Sequence, residues 1–173
     1  MCDGEYVNIY EFFLNETMAQ LQLALFGFSN EYQEKSNKKI RAAFKEINPD
    51  KGREFVSSLL KEVTLSDGPL SRAMEARNKS GVSRGEEFGN ALIFPFAGHD
   101  TTANTLTWLI YELCNNDYAY KKLQDEIDQF WHSHPDKNNI GYDDLKQLTY
   151  MTRCIMETLR LWTAIPNGTF REL

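Results

Sequence analysis

The chain is poor in cysteine and proline, and it has no long hydrophobic run. Its cysteines, Cys2, Cys114 and Cys154, are odd in number and widely spaced. That fits reduced thiols in a cytosolic compartment better than a disulfide framework. No stretch approaches the roughly 20 apolar residues of a membrane-spanning helix. The opening MCDGEYVNIYEFF has neither the basic start nor the apolar core of a secretory signal. No block of like charge occurs in a chain of net charge −6, so there is no basic face for nucleic acid. Histidine is also scarce, at three residues. A metal set of His132, His134 and Cys114 can be written down, but H-x-H beside Pro135 reads more simply as a polar loop, and no metal ligand is expected. Internal repeats, low-complexity tracts and strand–helix alternation are all missing.

What is present is enough apolar and aromatic content, 42% and 13%, for a real core. The pattern is mainly helical. Residues 8–28 carry Ile9, Phe12, Phe13, Leu21 and Leu25 at roughly helical spacing. Residues 30–47 read as a charged helix that stops at Asn48-Pro49. Residues 53–63 are a short amphipathic piece, and 69–77 a short helix between loops. A long segment runs from Gly85 to Cys114. Residues 117–131 form an amphipathic helix with Leu123, Ile127 and Phe130 on one side. A loop over 132–144 leads to a turn at 143–148. A last helix, 150–162, puts Met151, Ile155, Leu159 and Trp162 on one face. The end, AIPNGTFREL, is broken by proline and glycine and finishes extended. No domain boundary stands out.

The long segment holds an anomaly. Between two apolar flanks sits FPFAGHDTTANTLTW, Phe94 to Trp108, with a proline, a glycine, a histidine, an aspartate and two threonines. Pro95 costs about 3 kcal/mol inside a helix. One reading is therefore two helices, with Asp100 or Thr101 as the N-cap of the second. The other is one long helix, opened locally, facing a ligand. Ala97 and Thr101 are four apart and share a face, with Asp100 beside them. Ala97 and Gly98 would let a flat ligand approach the backbone. Thr101 would offer a hydroxyl and Asp100 an acid, a set able to carry a proton.

A second constellation lies in MTRCIMETLRLW. Glu157 and Arg160 are three apart on one helical face, and Arg153, four before Glu157, could take the same carboxylate. Alone, such a pair is an ordinary helical ion pair. Arg171, in GTFREL, is a single arginine on an extended stretch and alone reads as a solvated charge.

Taken together and in this order, Ala97-Gly98-His99-Asp100-Thr101-Thr102, then Glu157-Thr158-Leu159-Arg160, then Arg171, the chain resembles cytochrome P450. The first run matches the A/G-G-x-D/E-T-T signature of that family's long distal helix, and the second matches its E-x-x-R. The text between them is also similar. The resemblance is strong over 85–173 and rests on helical character and position over 1–84. It implies a mainly α, partial cytochrome P450 fold with one short extended segment at the end, in a single incomplete domain, 1–173. It implies haem, with Ala97 and Gly98 against its distal face, Thr101 hydrogen-bonding bound oxygen, and Asp100 helping to deliver protons. Arg171 would meet a haem propionate, while Glu157 and Arg160 would be structural. The implied reaction inserts oxygen into an apolar substrate, with electrons from a redox partner.

Departures temper this. Pro95 adds a kink before the signature, and Thr163 stands where the family usually has proline. The family's iron ligand, in F-x-x-G-x-R-x-C-x-G, is not found in these residues. Cys114 and Cys154 read as small core residues inside helices. The chain alone is therefore expected to be inactive and to form no haem–thiolate complex. The alternative function is that of an inactive remnant serving as a helical interaction module.

Overall fold

The computed structural model describes residues 6–27, 72, 83–137, 139–166 and 168. Among these the regular structure is all helical: α1 (Ile9–Leu21), a π-helical turn (Gln22–Phe26), α2 (Arg84–Asn115), α3 (Asp117–Ser133), a 3-10 turn (Asp144–Gln147) and α4 (Thr149–Leu161). The helices expected over 30–47, 53–63 and 69–77, and the extended end with Arg171, lie outside the described residues, apart from the helical Arg72. Contacts divide the chain into two compact units, Met1–Ala103 and Asn104–Leu173, and the division falls within α2.

In the first unit, Asn8 starts α1 by accepting the Glu11 N–H at 3.2 Å. The π turn ends at Gly27, whose φ of 68° is a left-handed conformation that glycine takes without strain. Leu14, Thr17 and Met18 form the buried face, with Met18 0% exposed. Phe12 points outward, so the apolar spacing of Ile9, Phe12 and Phe13 marks the wrong face. The inward stripe continues to Gln22 and includes two polar residues, which hid it.

Ser83 and Glu86 form a capping box at the start of α2. The Ser83 N–H donates to Glu86 Oε2 at 2.8 Å, and the Glu86 N–H donates to Ser83 Oγ at 3.4 Å. From there α2 runs unbroken through Pro95 to Asn115. The two-helix reading is thus corrected, and so is local opening, since every residue from Arg84 to Asn115 is α-helical. Neither Asp100 nor Thr101 caps a helix. Proline removes one N–H donor from the interior, and the α1 contacts fall on the following turn, at Gly98, His99 and Asp100.

The second unit is built on Leu109, Leu113 and Leu123, with Leu106, Met151, Cys154 and Ile155 packed around them. Asn116 alone separates α2 from α3 and caps α3 by accepting the Ala119 N–H at 3.1 Å. The amphipathic reading of α3 holds for Leu123 and Phe130, while Ile127 is exposed.

At the start of α4, Leu148 provides no side-chain cap. Glu126, from α3, takes that place: its carboxylate accepts the N–H groups of Tyr150 at 2.7 Å and Met151 at 2.8 Å. Burial acts to raise the Glu126 pKa, but the backbone hydrogen bonds together outweigh it and hold the carboxyl below its ordinary 4.5. A depressed carboxyl contributes stability above its unfolded pKa and loses it as pH falls through the folded value. Glu126→Gln is therefore expected to cost about 1 kcal/mol at pH 7. The gap from the parent chain should close below pH 4.5, the range in which the parent carboxyl protonates. Urea unfolding at both pH values checks this, and a gap that persists in acid would remove Glu126 as a charged cap.

Candidate functional site

Three contacts lay α1 over the signature turn of α2. Leu21 lies so close to Gly98 that a Cβ there would stand 2.8 Å from a leucine methyl. Gly98 thus has a packing reason for being small. The Thr17 hydroxyl lies 3.0 Å from the His99 carbonyl and 2.8 Å from the Phe13 carbonyl, and its single proton goes to one or the other. The Tyr10 hydroxyl donates to Asp100 Oδ1 at 2.8 Å.

At about 100° per residue, Gly98, His99 and Asp100 span an arc centred on His99, which is buried. Ala97 and Thr101 lie on the opposite arc, and Ala97 is exposed. Ile93 and Phe94 share that arc and are 51% and 47% exposed. Asp100 stands at the border between the two faces. The Thr101 hydroxyl donates to the Ala97 carbonyl at 2.6 Å. The signature turn therefore has a side that α1 meets through Gly98, His99 and Asp100, and an opposite side that is open at Ile93, Phe94 and Ala97 and half-buried at Thr101, while Phe96 and Thr102, flanking His99, are exposed as well. Of the residues expected to face a ligand, Ala97, Thr101 and Asp100 come together at this open side or its edge.

The second unit brings Glu157 and Arg160 together as a two-pronged ion pair, Nε to Oε2 at 2.8 Å and Nη2 to Oε1 at 2.6 Å. The Arg160 hydrogen bonds hold the Glu157 carboxyl below its usual value, and Glu157 in turn raises the guanidinium. Both side chains are more than half exposed. Arg153 instead lines a cavity of about 370 Å3, together with Leu109, Glu112, Tyr150 and Glu157. That cavity holds none of the signature residues 97–102.

Sequence reasoning missed Tyr10 and a clasp within the second unit. Trp108 and Trp162 stack with centroids 3.9 Å apart at 5°, and the Trp162 indole donates to Glu112 at 2.7 Å. No local signal could have linked residues so distant in sequence. His132 turns its Nδ1 to the Asp128 carbonyl at 2.6 Å, while His134 meets Asp144 at 3.2 Å. Among the described residues, no group of three or more His, Cys, Asp or Glu is arranged to hold a metal ion.

A long helix bearing an alcohol and an acid on one turn, followed by a helix bearing a Glu–Arg fork, is the helical order that the resemblance to cytochrome P450 implied. Residues 3–173 match the Cytochrome P450 family, and the chain belongs to it. It is 32% identical to Cytochrome P450 3A28 of Bos taurus over 87% of this chain and 28% of that protein. It is 34% identical to Cytochrome P450 4F1 of Rattus norvegicus over 65% of this chain and 22% of that protein. It is 41% identical to the chloroplastic carotene epsilon-monooxygenase of Arabidopsis thaliana over 40% of this chain and 12% of that protein. The matches thus span 12–28% of these relatives' lengths. They favour the monooxygenase family over a helical interaction module.

Family membership implies haem, and the open side of α2 fits one face of it. Ile93 and Phe94 present apolar surface, Ala97 adds no bulk, and Thr101 supplies one hydroxyl proton. The two described cysteines do not fit as the iron's thiolate. Cys114 is exposed, and Cys154 packs on the leucine core, where burial raises its thiol pKa and disfavours the thiolate. Among the described residues, no helix is long and apolar enough to cross a membrane.

Proposed function

We infer that this chain supplies the oxygen-side wall of the haem site in a cytochrome P450 monooxygenase. The observation that carries this is the two-sided signature turn, with α1 on the Gly98–His99–Asp100 side and an open Ala97–Thr101 side opposite. Haem, when bound, supplies oxygen activation, and one oxygen atom enters an apolar organic substrate. Ala97 keeps the backbone face clear, with Gly98 allowing α1 to support it from behind. Ile93 and Phe94 exclude water. Thr101 Oγ1 holds a proton on the Ala97 carbonyl and turns it toward the reaction. Asp100 is the acid that restores that proton.

Arg171 is proposed as a partner for a haem propionate, and Glu157 with Arg160 as a structural fork. Residues 1–173 belong to one domain of the family in this reading. Electrons come from a redox partner, and nucleic acid has no part. The free thiols of Cys114 and Cys154 are in keeping with a cytoplasmic setting for this region.

Ala97→Phe tests the reading. In the haem-loaded protein that carries this chain, the added ring is expected to weaken carbon monoxide binding at the iron by about tenfold or more, because an overfilled face costs about 1–3 kcal/mol. Ala97 is exposed here, so the helical circular dichroism of the 173-residue chain should not change. Unaltered carbon monoxide affinity would remove Ala97 from the haem face.

A further inference from the structure

Resting on the acid role assigned to Asp100, we propose that Tyr10 is the positioning residue for that carboxylate and its link to bulk water. Two observations carry this. The Tyr10 hydroxyl donates to Asp100 Oδ1 at 2.8 Å, across a separation of 90 residues. Tyr10 is also 37% exposed, so one residue spans from solvent to the acid. Asp100 itself stands at the edge of the open face, beside Thr101. The observed link is phenol to carboxylate; the proposal extends it outward to water and inward to the neighbouring Thr101 alcohol.

A proton relay needs groups that both donate and accept, and a phenol does both. As Asp100 gives its proton to the Thr101 side, it becomes a carboxylate. Tyr10 Oη then passes its own proton to Asp100 Oδ1 while accepting one from water. One O–H bond forms at Asp100, one is broken and remade at Tyr10, and one is broken in a hydronium ion of bulk water, which is left as neutral water. The net result is one proton moved inward, with Tyr10 unchanged. Because uptake and release are concerted, no free phenolate is formed.

The contact also fixes the carboxylate. A hydrogen bond to an ionised group is short and directional, and this one fastens Oδ1 toward α1. The rest of α1 is held in place by Thr17 on the His99 carbonyl and by Leu21 on Gly98. Tyr10 therefore acts from a helix already seated on the turn it serves. Phenylalanine at position 10 would keep the ring and lose only the hydroxyl.

The experiment has two arms. In the 173-residue chain, infrared difference spectra of carboxyl-labelled aspartate compare the parent with Tyr10→Phe. A shift of one carboxylate band is expected, and it should vanish when both carry Asp100→Asn. No shift would overturn the proposal, since the contact would not exist in solution. In the haem-loaded protein that carries this chain, product formed per oxygen consumed is measured in light and heavy water. Tyr10→Phe is expected to lower that ratio about threefold and to raise the solvent isotope effect, because reprotonation becomes limiting. A normal isotope effect in Tyr10→Phe, with Asp100→Asn strongly uncoupled, would leave Tyr10 a mere strut and overturn the proposal alone. A normal ratio in Asp100→Asn would overturn the acid role of Asp100, and the Tyr10 proposal with it. Asp100→Asn leaves an amide oxygen that still accepts the Tyr10 hydroxyl and removes only the acid, without touching α1, so it tests the acid role even where Tyr10→Phe folds poorly.

Discussion

Thr101→Ala is expected to uncouple oxygen consumption from product in the haem-loaded protein, by about tenfold or more, while haem content stays normal. The size follows from the usual contribution of a positioned proton donor, about 10²–10⁴ in rate. Haem content stays normal for a structural reason. The Thr101 hydroxyl donates to the Ala97 carbonyl at 2.6 Å, but that carbonyl also faces the Thr101 backbone N–H in the regular helical pattern. Removing the hydroxyl thus leaves that carbonyl its backbone donor. Alanine is also the better helix former, by several tenths of a kcal/mol. The variant should keep its helix and lose only the proton. Thr101→Ser restores the hydroxyl and should restore coupling. Oxygen uptake, product yield and haem-to-protein ratio, measured on one sample, decide it. Uncoupling absent, or haem lost as well, would make Thr101 a structural residue.

Glu157→Ala supplies the contrast. Its ion pair with Arg160 is well formed yet exposed. Exposed pairs stabilise a fold little, because water already solvates both ions. In the 173-residue chain the substitution is therefore expected to leave unfolding unchanged. Haem-loaded yield is where the structural role proposed for Glu157 would show.

The sequence made some of this legible and hid the rest for identifiable reasons. α3 and α4 came within one or two residues of their observed bounds, because their apolar spacing is strong, and the outer limits of α2 were legible where its continuity was not. The Glu157–Arg160 pair was legible because its partners are three apart on one helix. Ala97, Asp100 and Thr101 were legible as a group for the same reason. Their two-sidedness was not, since it depends on which face α1 covers. The covering stripe of α1 includes Thr17 and Gln22, both buried and both polar, so a search for apolar periodicity passes over them. Pro95 misled in the other direction: local propensity argued for two helices, and the folded chain has one. Tyr10 on Asp100, Glu126 on the start of α4 and Trp108 on Trp162 all join residues distant in sequence, where no local pattern exists.

Leu123→Ala is expected to destabilise the second unit by about 3 kcal/mol, within the 2–5 kcal/mol typical of buried leucine truncations. Leu123 is 7% exposed and completes the cluster with Leu109 and Leu113 of α2, against which Met151 and Ile155 of α4 pack. Alanine there leaves a hole that three helices border and that none fills by rotating one side chain. A small unit has little to spare, since folded domains are stable by only about 5–15 kcal/mol. All three tryptophans of the chain, Trp108, Trp131 and Trp162, lie in this unit, so tryptophan fluorescence reports its unfolding directly. The urea transition should move to much lower concentration, and the stacked Trp108–Trp162 pair should lose its packing in the same step. Ile127→Ala on the same helix is the control, because Ile127 is exposed and its truncation should cost under about 1 kcal/mol. Equal shifts in the two variants would mean that α3 is seated through a different face, and that Leu123 does not hold α2 and α4 to it.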